Sequence, residues 1–525
     1  MKIERAKNAT RNIIFGLVLK LYQIVVPFFM RTAMIYLLGI EYLGLNGLFV
    51  SILQVLNLAE LGVGTAMVFS MYKPISEDDD VMICSLMHLY KIYYRIIGGI
   101  ILILGLLLCP FVPALIKSGI PADMNIYILY LLNLAATVLT YWLFAYKNSL
   151  LQAYQRTDVL SKITLCTNTV TYMLQFSLLF LFKNYYLYII STLVLQAVNN
   201  ITTALITNKM YPGYHAKGKL PREQVKEINH RIRDLFTSKV GLVIVNASAT
   251  LVISAFLGLT SLAIYQNYFY LISSAIGFVA VIFSSCTAGI GNSIIIESEE
   301  KNYRDLRKFT LIIAWIGGFC ACGFLCLMQS FMKLWVGEGL MLGFYAVIYF
   351  CLYIFVYEVN NLLITYKDAA GIWHEDRFRP LLTALTNLIL SMILVRLWGI
   401  YGVLISGVLS MVVVGMPWLM HNLFTVLFKR NPWDYIRRLL IYTGATAIVC
   451  IITYVICNQL PKDGVLWFVV KGVICCLVSN LLFFLLYSRL EEFSEIKHLF
   501  ASIFTKIQFR NTRPVKGERH GWIKE

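Results

Sequence analysis

Thr164-Leu165-Cys166-Thr167-Asn168 returns as Thr383-Ala384-Leu385-Thr386-Asn387, 219 residues further along the chain. Tyr146-Lys147 returns as Tyr366-Lys367 at a shift of 220, and Leu38-Gly39 as Leu257-Gly258 at a shift of 219. Each match alone is weak, because apolar helices draw on a small alphabet. Three matches in the same order at nearly one offset predict a duplicated helical bundle.

Composition agrees. The 525 residues are 59% hydrophobic and 14% charged, with a mean hydropathy of +0.72. So few charges cannot cover a water-soluble protein of this length. Apolar runs of 18 or more residues recur from end to end, each able to cross ~30 Å of hydrocarbon as a helix. The basic start, MKIERAKNATR, lacks a small-residue cleavage site after its apolar stretch and reads as a retained first helix. The net charge of +17 follows membrane topology, so nucleic acid is not expected as a partner. Nearly all twelve cysteines, among them Cys109, Cys166, Cys326, Cys351 and Cys450, sit in apolar segments and read as small apolar residues. Cys320-Ala321-Cys322 and Cys475-Cys476 lack metal-ligand spacing to histidine, so neither metal nor cofactor is expected.

Fourteen spans are predicted: 12–39, 44–71, 92–117, 125–146, 159–182, 186–208, 239–259, 262–294, 309–332, 341–366, 380–396, 400–426, 438–458 and 464–488. With the N-terminus in the cytoplasm, 37 of the 45 Lys and Arg fall in or at the ends of inside segments. Five fall outside (Lys117, Lys183, Lys333, Arg396, Lys462), and Lys20, Arg31 and Lys471 lie within spans. Both termini are therefore expected in the cytoplasm. Spans 1–6 and 7–12 then start on the same side, a parallel repeat about an axis along the membrane normal. The expected fold class is an all-α integral membrane protein with 14 transmembrane helices. Its predicted parts are a six-helix lobe at 1–208, a linker at 209–238, a second six-helix lobe at 239–430, two extra helices at 431–488 and a basic tail at 489–525. Within the linker, Pro221 to Ser238 reads as a basic amphipathic helix, with Val225, Ile228 and Ile232 on one stripe, lying along anionic headgroups.

Ionisable groups within spans are costly and face water or a partner. Lys20 and Arg31 are eleven residues apart, about 20° from eclipsed and ~16 Å along a helix axis, so they share one face. Pro27 between them is expected to bend that helix. At the 219 offset Lys20 aligns with Lys239, whereas Arg31 aligns with Thr250. Span 2 carries Gln54, Asn57 and Glu60, and a pairing of Glu60 with Arg31 or Lys20 is expected either to neutralise buried charge or to act as a switch. Span 10 carries Glu358 and Asn361. Lys147 and Lys367 are repeat mates at cytoplasmic ends, and Lys91 and Arg95 stand one turn apart near the start of span 3; each is an interface anchor or flanks an inward vestibule. Gln266, Asn267, Asn199 and Asn200 read as polar glue between helices. No phosphate-binding glycine loop, HExxH or GxSxG motif is present, and Glu77-Asp78-Asp79-Asp80 reads as a solvated turn, so no enzyme is expected.

Six plus six plus two helices, inside termini, a basic first helix and the second helix GLNGLFVSILQVLNLAELGVGTAMVFSMYKPI (44–75) resemble the Wzx-type polysaccharide flippases. These belong to the MOP exporter superfamily, which includes the MATE exporters. The resemblance covers nearly the whole chain and rests most on Asn46, Gln54 and Leu61-Gly62. It implies two MATE-like lobes that rock around a central cavity. The implied function is to carry undecaprenyl-pyrophosphate-linked oligosaccharide from the cytoplasmic to the outer leaflet of a bacterial plasma membrane. Membrane lipids, glycosyltransferases and a polysaccharide polymerase are implied partners, and the chain is expected to be a monomer. In that frame Arg31, Lys20, Lys147, Lys367 and Arg95 attract the pyrophosphate. Glu60 and Glu358 serve charge pairing or ion coupling, and Gln54, Asn57 and Asn361 line a polar cavity. The alternatives are a lipid II flippase, whose branch usually carries arginines in spans 1, 2 and 8, a MATE-type antiporter, whose cation cavity needs carboxylates, and a membrane-embedded glycosyltransferase or polymerase, which needs a large outside loop.

Overall fold

The computed structural model of the chain describes residues 5–60, 62–461 and 464–497, and every regular element among them is helical. Lys462 and most of the basic tail lie outside the described residues. The first half holds α1 (Arg5–Leu37), α2 (Ile40–Leu56), α3 (Val63–Ser76), α4 (Asp80–Leu108), α5 (Ile126–Trp142), α6 (Lys147–Ala153), α7 (Thr157–Phe182) and α8 (Tyr185–Met210). Then come α9 (Arg222–Leu257), α10 (Leu259–Ile296), α11 (Glu299–Val336), α12 (Phe344–Ala369), α13 (Arg379–Trp398), α14 (Ile400–Ser410) and α15 (Met416–Asn422). The chain continues into α16 (Trp433–Asn458) and α17 (Val465–Tyr487). Thirteen helical stretches are long and apolar enough to cross a membrane, and fourteen if the bent pair α5–α6 is one span. The protein is a multi-pass helical membrane protein.

Several predicted boundaries move, and three of the changes bear on the site. Span 2 was expected as one helix over 44–71. It is interrupted: α2 ends at Leu56, Asn57–Glu60 form a 3-10 turn, and α3 starts at Val63. Gly62 has φ +91°, a backbone state that side chains rarely adopt, and this lets the chain change direction there. Span 4 ends at Trp142 and not at 146; Phe144 takes φ +56°, and α6 leaves at 56° to α5. Lys147 therefore begins a short buried helix and does not close a span. The predicted linker helix and span 7 are one element, α9, because no proline or glycine stands between Arg222 and Val240 to stop it.

The repeat is visible as local chemistry. Gly39 and Gly258 each end a long helix at positive φ, +125° and +91°. In both, the glycine amide reaches back five residues, Gly39 to the Met34 carbonyl at 3.1 Å and Gly258 to that of Ile253 at 3.1 Å. The Thr-Asn elements tie neighbouring spans. Thr167 donates to Asn199 Oδ1 of α8 at 2.7 Å, while Asn387 Oδ1 accepts from Ser391 at 3.1 Å and Ser406 of α14 at 3.5 Å. A further element recurs that the sequence reading did not single out. Asp158, at the head of α7, accepts from Arg156 Nε at 2.9 Å, and its amide donates to Asn12 Oδ1 at 2.8 Å. Asp376 and Arg379, at the head of α13, form a two-bond fork at 2.6 and 2.9 Å.

Two compact units can be described. The larger comprises Met1–Ala280, Phe331–Val356 and Trp373–Leu419. In it α13 packs on α9 and α14, α1 on α7, and α2 on α9. The smaller comprises Val281–Ser330, Tyr357–Ile372 and Met420–Glu525. There Glu492 gathers the guanidinium groups of Arg307 and Arg438, and Tyr303 donates to Asp434 at 2.8 Å.

Removing one member of a buried ion pair strands the other. Asp376→Ala should therefore destabilise the protein by about 3–5 kcal/mol, read as a lowered midpoint of unfolding in detergent. Lys73→Ala, which breaks an exposed pair with Glu77 at 3.9 Å, should leave the midpoint unchanged.

Candidate functional site

A cavity of about 430 Å³ lies in the first half of the chain. Both interrupted spans build it. The turn at Asn57–Glu60 contributes Glu60, and α3, leaving at a new angle, contributes Gly64, Thr65, Val68, Phe69 and Tyr72. The break between α5 and α6 contributes Ala145, followed by Asn148, Ser149 and Gln152. Tyr90 and Tyr94, one turn apart on α4, close the wall.

Within it a hydroxyl relay ends on the carboxylate. Tyr90 OH donates to Tyr94 OH at 2.6 Å, and Tyr94 OH donates to Glu60 Oε1 at 3.1 Å. The two rings pack at 4.3 Å between centroids, with Tyr141 edge-on to Tyr94 at 5.3 Å. Lys239 of α9 donates to Thr65 Oγ1 at 3.2 Å, beside the cavity that Glu60 lines. Arg231, two turns earlier on α9, lies over the Phe69 ring at 4.7 Å. The cavity is therefore polar, aromatic at its edge, and flanked by cations. The expected pairing of Glu60 with Arg31 or Lys20 is replaced. Glu60 instead accepts from Tyr94 of α4, and Lys239, the repeat mate of Lys20, is held next to the cavity by Thr65.

Arg31 belongs to a second cluster, between α1 and α10. Its Nη2 donates to Asn267 Oδ1 at 3.0 Å, and its guanidinium lies over the Tyr270 ring at 5.2 Å. Tyr270 in turn donates to the Ile24 carbonyl. Among the described residues Arg31 Nε, although buried, has no hydrogen-bond partner, and no carboxylate pairs with the side chain. Aromatic groups crowd the same part of α1. Phe28 stacks near Trp335 at 4.5 Å, Trp335 Nε1 donates to Thr32 at 2.8 Å, and Tyr22 meets Tyr172 at 6.2 Å. Lys20 is exposed, and its Cε and Nζ lie against Gly277 of α10. Lys20 and Arg31 thus share the face of α1 that follows α10.

The other predicted residues are dispersed. Lys147 is buried; it donates to Asn208 Oδ1 of α8 and sits over Phe144 at 5.8 Å, next to the cavity wall but not in it. Arg95 is exposed, and its carbonyl accepts from Trp142 at 3.2 Å. Gln54 and Asn57 are half-buried, and Asn57 Oδ1 lacks a partner among the described residues. In the smaller unit Lys367 pairs with Asp368, the Asn361 carbonyl accepts from Thr365 at 2.9 Å, and Glu358 is buried with neither carboxylate oxygen hydrogen-bonded among the described residues. The sequence reading missed Thr65, Tyr90, Tyr94, Asn148 and Gln152. The i, i+4 tyrosines on a span carried a signal for them; the cavity residues of α6 did not, since the bend that exposes them is a tertiary feature.

No protein-family model and no curated protein matches the chain. Solved structures do. The lipid II flippase MurJ in an inward closed conformation superposes with a TM-score of 0.65 at 16% identity, covering 91% of this chain and 99% of that one. An inward-facing multidrug resistance MATE family transporter of the MOP superfamily gives 0.58 at 14%, covering 81% and 99%. A Vibrio cholerae MATE transporter, VcmN, gives 0.54 at 16%, covering 81% and 99%.

The relay makes a measurable statement. Tyr94→Phe and Glu60→Ala should couple in a double-mutant cycle of unfolding by about 1.5–3 kcal/mol, the range for a hydrogen bond to a charged group. Additive effects would mean that the hydroxyl and carboxylate do not interact. At identities of 14–16% the superpositions carry the architecture alone, and this chain shares the helical fold of those lipid II flippase and MATE structures.

Proposed function

We propose that the protein flips undecaprenyl-pyrophosphate-linked oligosaccharide repeat units from the cytoplasmic to the outer leaflet of a bacterial plasma membrane, supplying surface polysaccharide synthesis. The observation that carries this reading is Arg31. A guanidinium held, among the described residues, by the neutral groups Asn267 and Tyr270, with its Nε unpaired there, keeps its charge available to an anion. Tyr and Trp rings around it offer flat apolar faces for sugar rings, and the polar cavity beside Lys239 accepts polar cargo. In this reading residues 1–208 and 239–430 form two lobes that alternate access, 209–238 joins them, and 431–488 adds two helices. Both termini lie in the cytoplasm. Lys20, Arg95, Lys147 and Lys367 draw the headgroup to the inner face, Gln54, Asn57 and Asn361 serve polar cargo, and Glu60 or Glu358 carries a coupling ion. Glycosyltransferases supply the substrate and a polymerase consumes it.

The second reading is transport of lipid II, favoured by the higher TM-score and coverage of the lipid II flippase structure. Spans 2 and 8 here carry no arginine, which speaks for the first reading. A cation antiporter is less supported, because Glu60 is the one acidic side chain among the described cavity walls and cations of α9 stand beside it.

Arg31→Ala should abolish surface polysaccharide export and accumulate lipid-linked saccharide on the inner leaflet, with the protein still present in the membrane. Arg31→Lys should retain most of the export. Full export by Arg31→Ala would remove the site from the reading. Rescue of cells depleted of their lipid II flippase would favour the second substrate; failure to rescue favours the first.

A further inference from the structure

Twelve cysteines dispersed in apolar segments look inert in the sequence, yet the smaller unit gathers some of them. Cys322 and Cys326 are one turn apart on α11 and present their sulfurs on one face. Cys475 of α17 meets them from 149 residues further on. The three Sγ atoms lie within 4.8 Å of one another, and Cys475 Sγ is 3.9 Å from Cys322 Sγ. All three side chains are buried, and no cysteine of the chain forms a disulfide.

We propose that Cys322, Cys326 and Cys475 form a binding site for a soft d10 metal ion, Zn(II) or Cu(I), that clips α17 to α11.

The distances suit such an ion. Metal–sulfur bonds of ~2.3 Å in tetrahedral geometry set sulfurs about 3.8 Å apart, close to the observed Cys475–Cys322 separation. The donor set selects the metal class, because three thiols without histidine or carboxylate favour soft ions over calcium or magnesium. A further oxygen is at hand: Thr453 of α16 is fully buried, and its hydroxyl lies beside the Cys322 thiol.

Charge also balances. Lys471, one turn before Cys475 on α17, is buried, and no described carboxylate pairs with it. Its own carbonyl accepts from the thiol of Cys457 at 3.8 Å. A dipositive ion displaces three thiol protons and leaves one net negative charge on the three thiolates. The Lys471 ammonium neutralises that charge inside the low-dielectric interior. A monopositive ion reaches the same sum with two thiolates and one retained thiol. Lys471 stood out in the sequence as an intramembrane cation without a role, and this site gives it one.

The test uses full-length protein purified in detergent, reduced and stripped of metal, then loaded with Zn(II) or, under reductant, with Cu(I). After desalting, wild type should retain about one equivalent of at least one of the two ions, and a Cys322→Ser/Cys475→Ser variant at least tenfold less. Cys166→Ser, on α7, should match wild type. X-ray absorption at the metal edge should show a sulfur shell. Equal retention by wild type and the double variant, or a shell of nitrogen and oxygen only, overturns the proposal. The single Cys475→Ser variant, nearly isosteric, guards against misfolding; normal elution on size exclusion with undiminished metal also overturns it.

Discussion

A helix surrounded by hydrocarbon must satisfy its own backbone hydrogen bonds, so it can be interrupted only where protein or water covers the break. The architecture of the candidate site follows from that constraint. Two spans of the first half are interrupted, at Asn57–Glu60 and at 143–146, and both interruptions open onto one cavity. Tyr90 and Tyr94 cover the first break from α4, and Ala145 with α6 forms the opposite wall. In the second half the matching spans, α10 and α12, run through without a stop. The duplication therefore supplies two similar sets of helices, and the polar cavity belongs to the set that is broken.

The same contrast holds for charge. Where the halves agree, they agree in scaffold: glycine turns after α1 and α9, Thr-Asn ties, and buried Asp–Arg pairs at the heads of α7 and α13. These groups are engaged in hydrogen bonds within the scaffold. Where the halves differ, groups are left with capacity. Among the described residues Arg31 has neutral partners and a spare donor, and Glu60 ends a hydroxyl relay. The repeat mate of Lys20, Lys239, has been drawn from the other half of the sequence to the cavity of the first. A charge kept in a membrane protein without a neutralising partner is expensive, and an anionic headgroup passing along α1 is the counter-charge that the proposed function supplies.

Much of the fold was legible. Span number, the two-fold repeat and the shared face of Lys20 and Arg31 all came from periodicity, basic-residue bias and spacing, because hydrocarbon imposes simple lengths and alphabets. The breaks were less legible. Gly62 and Phe144 lie within apolar runs that look continuous, and only packing decides that the chain turns there. The partner of Glu60 was hidden for the same reason, since a continuous second span would have aimed it elsewhere. Asn267 was read as glue, which is its role toward Arg31, but nothing in the sequence said that Arg31 was what it held. The cysteine cluster was invisible because its members come from helices far apart in the chain.

The central claim is that lipid-linked saccharide passes through the polar site of the first half, along Arg31. The most direct measurement is photocrosslinking in cells that make the precursor, with a benzophenone amino acid placed at position 65 in the cavity, at 270 beside Arg31, or at the exposed apolar position 181. Adducts bearing pyrophosphate-linked saccharide are expected at 65 and 270, and phospholipid adducts alone at 181. Phospholipid adducts alone at all three positions would contradict it.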